Sequence, residues 1–193
     1  MKSDSNITIK EVISSDELKK FVMFPHTLYK DSKYWVAPII KEELEVLNKE
    51  TNPVFNNAIA HYFLAYIDGE IVGRIAALIN WIEVKDLKKK KVRFGWFDFI
   101  DDQNVSKALL EKVIEIGKKN NLEFIEGPVG FSNMDKAGML IKGFEKKNTM
   151  ITMYNYSYYQ DHMKAHGYSK LAEWVEYELK IANYDDSPEK IKK

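Results

Sequence analysis

Residues 92–126 read VRFGWFDFIDDQNVSKALLEKVIEIGKKNNLEFIE, and the fold class turns on this stretch. Val92 to Ile100 is rich in β-branched and aromatic residues and reads as a strand. Asp101 or Asp102 then supplies a helix N-cap, with acidic charge at the positive end of the helix dipole. Beyond it, Val105, Ala108, Leu109, Val113 and Ile116 recur at spacings of three and four, which is one face of an amphipathic helix. Lys118-Lys119-Asn120-Asn121 has the chemistry of a helix end, and Leu122 to Ile125 follows directly as a second strand. Strands before and after one central helix indicate an α/β or α+β sheet with helices on both faces.

Upstream, Tyr62 to Ile67 and Ile71 to Ile79 are two β-rich runs joined by Asp68-Gly69, the strongest local hairpin signal in the chain. The lysine run Lys88 to Lys91 that separates this hairpin from the next strand reads as a solvated loop. Ile7 to Val12 alternates as a first strand, and Ser14 with Glu17 three residues later forms a capping box, so a helix starts near Asp16. Its apolar positions are Leu18, Phe21, Val22 and Phe24, and Pro25 predicts an end or a kink. A second short helix is predicted from Pro38 to Leu47, with Ile39, Ile40, Leu44 and Leu47 on one face. Downstream, Gly127-Pro128 breaks the pattern. The segment to Ser157 is mixed, with three glycines and an aromatic cluster, and a segment of that length in a compact domain is usually functional or mobile. A helix from Tyr158 to His166, a Gly167 stop and a strand from Ala172 to Ile181 close the pattern.

Composition excludes rather than assigns. The 193 residues carry 29 Lys+Arg against 29 Asp+Glu, so no net field draws in nucleic acid or an anionic membrane. Arg74 and Arg93 are the only arginines, which removes most bidentate base readers. The absence of cysteine excludes disulfides, thiolate metal sites and a cysteine nucleophile, and leaves four histidines as nitrogen ligands. His162 and His166 are spaced i, i+4, but no acid completes a motif such as HExxH, so no metal is expected and both read as solvated helix residues. With neither an apolar leader nor a long apolar run in view, the expected location is cytoplasmic.

The order of elements, with an Asp-Gly hairpin, a strand–helix–strand unit and a late helix ending in Gly-aromatic before a last strand, resembles the GNAT superfamily of acyl-CoA-dependent N-acetyltransferases over nearly the whole chain. The pieces that carry the resemblance most specifically are IDGEIVGRIAALIN (67–80), VSKALLEKVIEIGKKNNLEFI (105–125) and HMKAHGYSKLAEWVEYEL (162–179). More narrowly, KYWVAPII (33–40), FDFIDDQ (97–103), IEGPVGFSNMDKAGMLIKGF (125–144) and YNYSYY (154–159) look like a bacterial GNAT-like family whose members are often longer and continue into a second GNAT-like half. The resemblance implies a mixed central sheet of six to seven strands with helices on both faces. It also implies a GNAT-like domain over 1–183, with 184–193 a polar tail or severed linker.

In the GNAT fold the cofactor pyrophosphate sits on amides at the central helix N-terminus, where a Gln/Arg-x-x-Gly-x-Gly/Ala loop lets the backbone approach it. Carried over, this implies that acetyl-CoA or another acyl-CoA is held by Phe99, Gln103, Asn104, Val105, Ser106 and Lys107. Asp101, Asn104 and Ser106 stand at the three motif positions and depart from the motif. The family's frequent general acid is a tyrosine four residues before the glycine that stops the late helix. Met163 stands there; nearby Tyr158 and Tyr159 could serve, with Tyr159 the catalytic candidate, although a tyrosine-rich stretch is more often packing or an aromatic platform for ligand. Only a neutral amine attacks a thioester, so a base is needed as well, and Asp98 is the candidate. Simple alternation puts Asp98 on one strand face with Val92, Phe94, Trp96 and Ile100, where apolar neighbours would raise its pKa. A strand-end acid that faces water or bonds a backbone amide fits the same position equally well.

The segment Gly127 to Tyr159 reads as a lid or substrate wall, with Asn133, Asp135, Tyr154, Asn155 and Tyr158 in contact with substrate. An insertion that packs on the sheet or docks a second half explains the same residues. The functional reading is an N-acyltransferase that moves an acyl group from coenzyme A to a small-molecule or peptide amine by direct attack, in a cleft between the fourth and fifth strands. The alternative is a non-catalytic GNAT-like module that binds a ligand, a second GNAT-like half or another copy of itself, having lost the pyrophosphate loop.

Overall fold

The structure is a computed structural model that describes residues 6–132, 134–149 and 152–177. One mixed sheet runs in sequence order: β1 (Thr8–Glu11), β2 (Ala58–Ile67), β3 (Glu70–Asn80), β4 (Lys91–Phe99) and β5 (Phe124–Glu126). The first four strands pair antiparallel and β5 joins β4 in parallel. The Asp-Gly turn forms as predicted, with Asp68 and Gly69 at φ 51° and 87°, the left-handed pair that a two-residue hairpin needs.

Helices cover both faces. On one, α4 (Gln103–Lys119) and α5 (Tyr158–Ala165) bury Val105, Leu109, Val113, Tyr159 and Met163 against Ile75, Phe94, Phe97 and Phe99 of the sheet. On the other, α1 (Ser15–Leu28) and α2 (Ile40–Leu47) pack Phe21, Val22 and Leu47 on Tyr62, Leu64, Ala76 and Leu78. The predicted capping box at Ser14 and Glu17 is formed, and Asp102 caps α4. A 3-10 turn (Pro53–Asn56) and a short helix α3 (Trp81–Lys85) were not signalled by periodicity, being too short to show any. Glu83 of α3 pairs at 2.6 Å with buried Arg93 on β4, which pins that helix to the sheet.

Three expectations are corrected. Five strands form among the described residues rather than six to seven. The predicted closing strand is absent over residues 172–177, and its remainder lies outside the described residues, as does the tail 184–193. Pro25 does not end α1, which runs to Leu28. The missing Pro25 N–H frees the carbonyl of Phe21, and the buried Arg74 guanidinium donates to that oxygen at 2.8 Å. Ile39 does not share the buried face of α2. It is exposed, and the helix begins one residue later.

The alternation along β4 also breaks. Arg74 pairs with Asp98 and Ala76 with Gly95, so Trp96 and Phe97 together oppose Ile75, which is a β-bulge, and Trp96 takes φ 45° to make it. Val92 and Phe94 therefore share the α4 face with Phe97 and Phe99, while Trp96 belongs to the α1 side. Asp98 falls on that side with it, bonded to Tyr29 and Arg74. This overturns the predicted grouping of Asp98 with Val92 and Phe94. Next to the bulge, Gly95 lets the Val129 carbonyl approach so closely that a Cβ would lie 2.6 Å from that oxygen. Gly95→Ala is expected to push the 128–131 segment off β4 and to cost about 1–3 kcal/mol, read as a fall in thermal midpoint without loss of helical signal.

Candidate functional site

Parallel pairing of β5 with β4 stops at Arg93 and Glu126, and beyond it only Val129 N–H reaches the Phe94 carbonyl, at 2.8 Å. The end of β4 thus has an open flank, and its backbone groups are satisfied by side chains instead. The Phe99 N–H donates to the Tyr159 hydroxyl at 3.1 Å, and the Phe99 carbonyl accepts from the Tyr158 hydroxyl at 2.5 Å.

From there a hydrogen-bonded chain threads the gap to the α1 side. Tyr29, the C-cap residue of α1, donates its hydroxyl proton to Asp98 Oδ1 at 2.8 Å and lies 2.8 Å from the Tyr159 hydroxyl. Its one proton being spent on the carboxylate, Tyr29 accepts from Tyr159. Asp98 Oδ2 takes Arg74 Nε and Nη2, both at 2.7 Å, and the two side chains are only 13% and 7% exposed. Asp98 is therefore not a carboxylate among apolar neighbours but half of a buried ion pair. Burial, with the Asp98 carboxylate adding to it, pushes the Tyr29 and Tyr159 hydroxyls well above the ordinary phenol range.

This chain forms one wall of a cavity of about 240 Å³ between the end of β4, the loop before α2 and the segment after Pro128. Tyr29, Trp35, Trp96, Phe97, Tyr154 and Tyr159 give it aromatic walls. Glu43 of α2 also lines it, and its Oε2 accepts from Trp96 Nε1 at 2.7 Å, so the bulge and α2 hold each other.

Of the residues singled out from sequence, Asp98 and Tyr159 come together, joined through Tyr29, which periodicity did not mark. Asp135 and Tyr154 line the cavity. Asn155 lines it too, yet its amide is spent on the Leu140 N–H and carbonyl and on the Tyr156 carbonyl, as a staple for the segment. Tyr158 bonds the end of β4 and does not line the cavity, and Asn133 lies outside the described residues. His162 is no solvated helix residue: it is buried, its Nε2 2.9 Å from Asp101 Oδ1 and its Nδ1 2.8 Å from Ser106 Oγ, where His166 Nε2 also reaches. No group of three or more metal-ligating side chains is close enough to hold an ion among the described residues. Nor is any helix there long and apolar enough to cross a membrane.

Solved acetyltransferases share this architecture. One is a predicted acetyltransferase with acetyl-CoA from Clostridium acetobutylicum, with TM-score 0.55 and 14% identity over 90% of this chain and 96% of that one. This is the GNAT fold. Among curated proteins, the GNAT-like chain is 30% identical to Protein YghO of Escherichia coli over 87% of its own length and 44% of that protein. It is 26% identical to the bacterial ceramide synthase of Caulobacter vibrioides over 97% of its length and 48% of that one. The chain thus spans about half the length of the curated relatives it matches. No protein-family model matches it.

The GNAT fold brings with it the question of coenzyme A. At the α4 N-terminus the Asn104 N–H is taken by Asp102 Oδ1 at 2.8 Å, and the Val105 and Ser106 N–H groups donate to the Asp102 carbonyl. Ser106 is buried under the two histidines, Lys107 leans toward Glu111, and the Phe99 amide is spent on Tyr159. With Asn104 and Ser106 at the glycine positions and the carboxylates of Asp101 and Asp102 just before them, these residues do not fit a pyrophosphate.

The raised tyrosines make an alkaline signature. Their folded pKa lies above the unfolded value of about 10, so their contribution to stability is complete below pH ~10 and is lost as pH rises through the folded values. Stability by urea midpoint is expected to stay level up to that pH and fall above it, with phenolate absorbance from Tyr29 and Tyr159 appearing only as the protein unfolds. Ionisation of every tyrosine at the ordinary pKa in the folded state would contradict the network.

Proposed function

We propose that this chain is the amine-binding part of a GNAT-type N-acyltransferase, with the amine received in the cavity beside the β4 bulge. The observation that carries this reading is the hydrogen-bonded chain Tyr159–Tyr29–Asp98–Arg74 opening into an aromatic-walled pocket at the place where β4 and β5 part. Trp35, Trp96 and Tyr154 offer ring faces to an ammonium group, and Glu43 offers it a carboxylate, a combination that favours organic cations over neutral ligands. A relative named a bacterial ceramide synthase and a structural neighbour named a predicted acetyltransferase are in keeping with this reading.

An amine must lose a proton before or as it attacks an acyl carbon. In this reading the proton passes from nitrogen to the Tyr29 oxygen while the Tyr29 proton moves to Asp98 Oδ1, so Tyr29 ends unchanged and Asp98 ends as the neutral acid that holds the proton. Arg74 fixes Asp98 so that Oδ1 faces Tyr29, and Tyr159 fixes the rotor of Tyr29. The misfit of a pyrophosphate at α4 means that the acyl donor is held by other groups, and no step is assigned to it. That misfit also favours a second reading, a GNAT-like module that binds an amine without acylating it.

A thermal-shift titration of the full chain with butylamine tests the shared part: stabilisation that grows with amine concentration is expected, and Glu43→Gln is expected to weaken binding about tenfold. No stabilisation would reject both readings. Release of free thiol from acetyl-CoA in the presence of butylamine separates them. Turnover that falls about 10²-fold in Tyr29→Phe, with butylamine binding retained, supports the transferase. Binding without thiol release supports the module.

A further inference from the structure

The cavity that receives the amine has a graded lining. Its most buried lining includes Phe97 and the polar chain of Tyr159, Tyr29, Asp98 and Arg74, and Trp35, Trp96, Met139 and Met153 are half-buried. The lining residues that stay exposed are Val36 and Val46, at 50% and 40%, and Ile39, which follows the lining Pro38 in sequence, is 62% exposed. These side chains stay in water although α2 has a buried face available, carried by Ile40, Leu44 and Leu47. Contiguous exposed apolar groups at the rim of a pocket mark a surface that something apolar covers.

Charge inside the pocket sets a second limit. Three carboxylates line it, Glu43, Asp98 and Asp135, against the cations Arg74 and Lys136, which leaves one net negative charge. Each carboxylate already holds a partner: Trp96 for Glu43, Arg74 and Tyr29 for Asp98, and the Ser132 N–H for Asp135. Such a site can balance a single ammonium but not the several of an amino sugar, which would need a free carboxylate for each. Size sets the third. At about 240 Å³ the cavity is below the roughly 300 Å³ at which sites for drug-sized ligands begin. It holds an amino head and the first few carbons, and a longer chain has to leave across the apolar rim.

Resting on the amine-binding reading, we infer that the acceptor is an amphiphile: a single primary amine on an alkyl chain whose tail runs out of the cavity over Val36, Ile39 and Val46. The ammonium end sits among Glu43, Trp96 and Tyr29, and the first methylenes lie between Trp35 and Met153. The tail beyond them covers the rim.

Calorimetric titration of the full chain with butylamine, octylamine, octanoate and kanamycin at one pH tests this. Octylamine is expected to bind more tightly than butylamine, by about three- to four-fold for each added methylene that the rim covers. Octanoate, with the same tail and the opposite charge, is expected to bind at least tenfold more weakly than octylamine, and kanamycin more weakly still. Val36→Asp and Val46→Asp, at half-exposed positions where a charge is tolerated, are expected to bring the octylamine affinity down toward that of butylamine, with thermal melting showing that both variants are folded. Equal affinities for octylamine and butylamine, tighter binding of kanamycin, octanoate binding as well as octylamine, or a chain-length gain that survives both rim substitutions would each overturn the amphiphile while leaving amine binding in place. Failure of every amine to bind, short or long, overturns the amine-binding reading and this inference together.

Discussion

A guanidinium buried between a helix and a sheet must place its charge and its N–H donors locally, because an unpaired buried charge costs several kcal/mol. Arg74 meets that demand with two partners that would otherwise be unsatisfied themselves. One is the Phe21 carbonyl, freed inside α1 by Pro25, and the other is the Asp98 carboxylate on β4. The contact fixes three elements at once: α1 through its own backbone, β3 through Arg74, and the segment of β4 beyond the bulge through Asp98. Tyr29, at the end of α1, then falls beside Asp98, and the hydroxyl of Tyr159 from the opposite face of the sheet meets it through the gap left by β5.

That arrangement explains why the local rules were legible in sequence and their combination was not. The Asp-Gly hairpin, the Ser14 capping box, the Asp102 cap and the amphipathic face of α4 are each specified by residues within one or two turns of one another, and all formed. Pro25, read alone, predicts an end or a kink. The carbonyl it frees is taken up by a donor 53 positions away in sequence. Asp98 was found by type, but its face was misjudged because strict alternation assumes no bulge, and Gly95 in mid-strand was the available warning. His162 looked solvated by default, since nothing local shows that Asp101 and Ser106 will meet it from the start of another helix. Tyr29 carried no signal, because its role depends on groups from β4 and α5.

The two ends of the GNAT cleft differ in character. On the α1 side the groups are oriented, buried and open to a cavity. At the α4 N-terminus the chain caps itself with its own acids and seals Ser106 beneath two histidines.

The claim on which the rest depends is that Arg74 and Asp98 act as one buried unit. A double-mutant cycle of Arg74→Met and Asp98→Leu, read by urea denaturation, measures it directly. Each single substitution leaves the other charge buried and is predicted to cost about 3–5 kcal/mol, whereas the double, with an apolar pair in place of the ions, is predicted to cost less than the sum by ~2 kcal/mol or more. Single costs that simply add, to within about 0.5 kcal/mol, would show that the two residues are independent and would contradict the account.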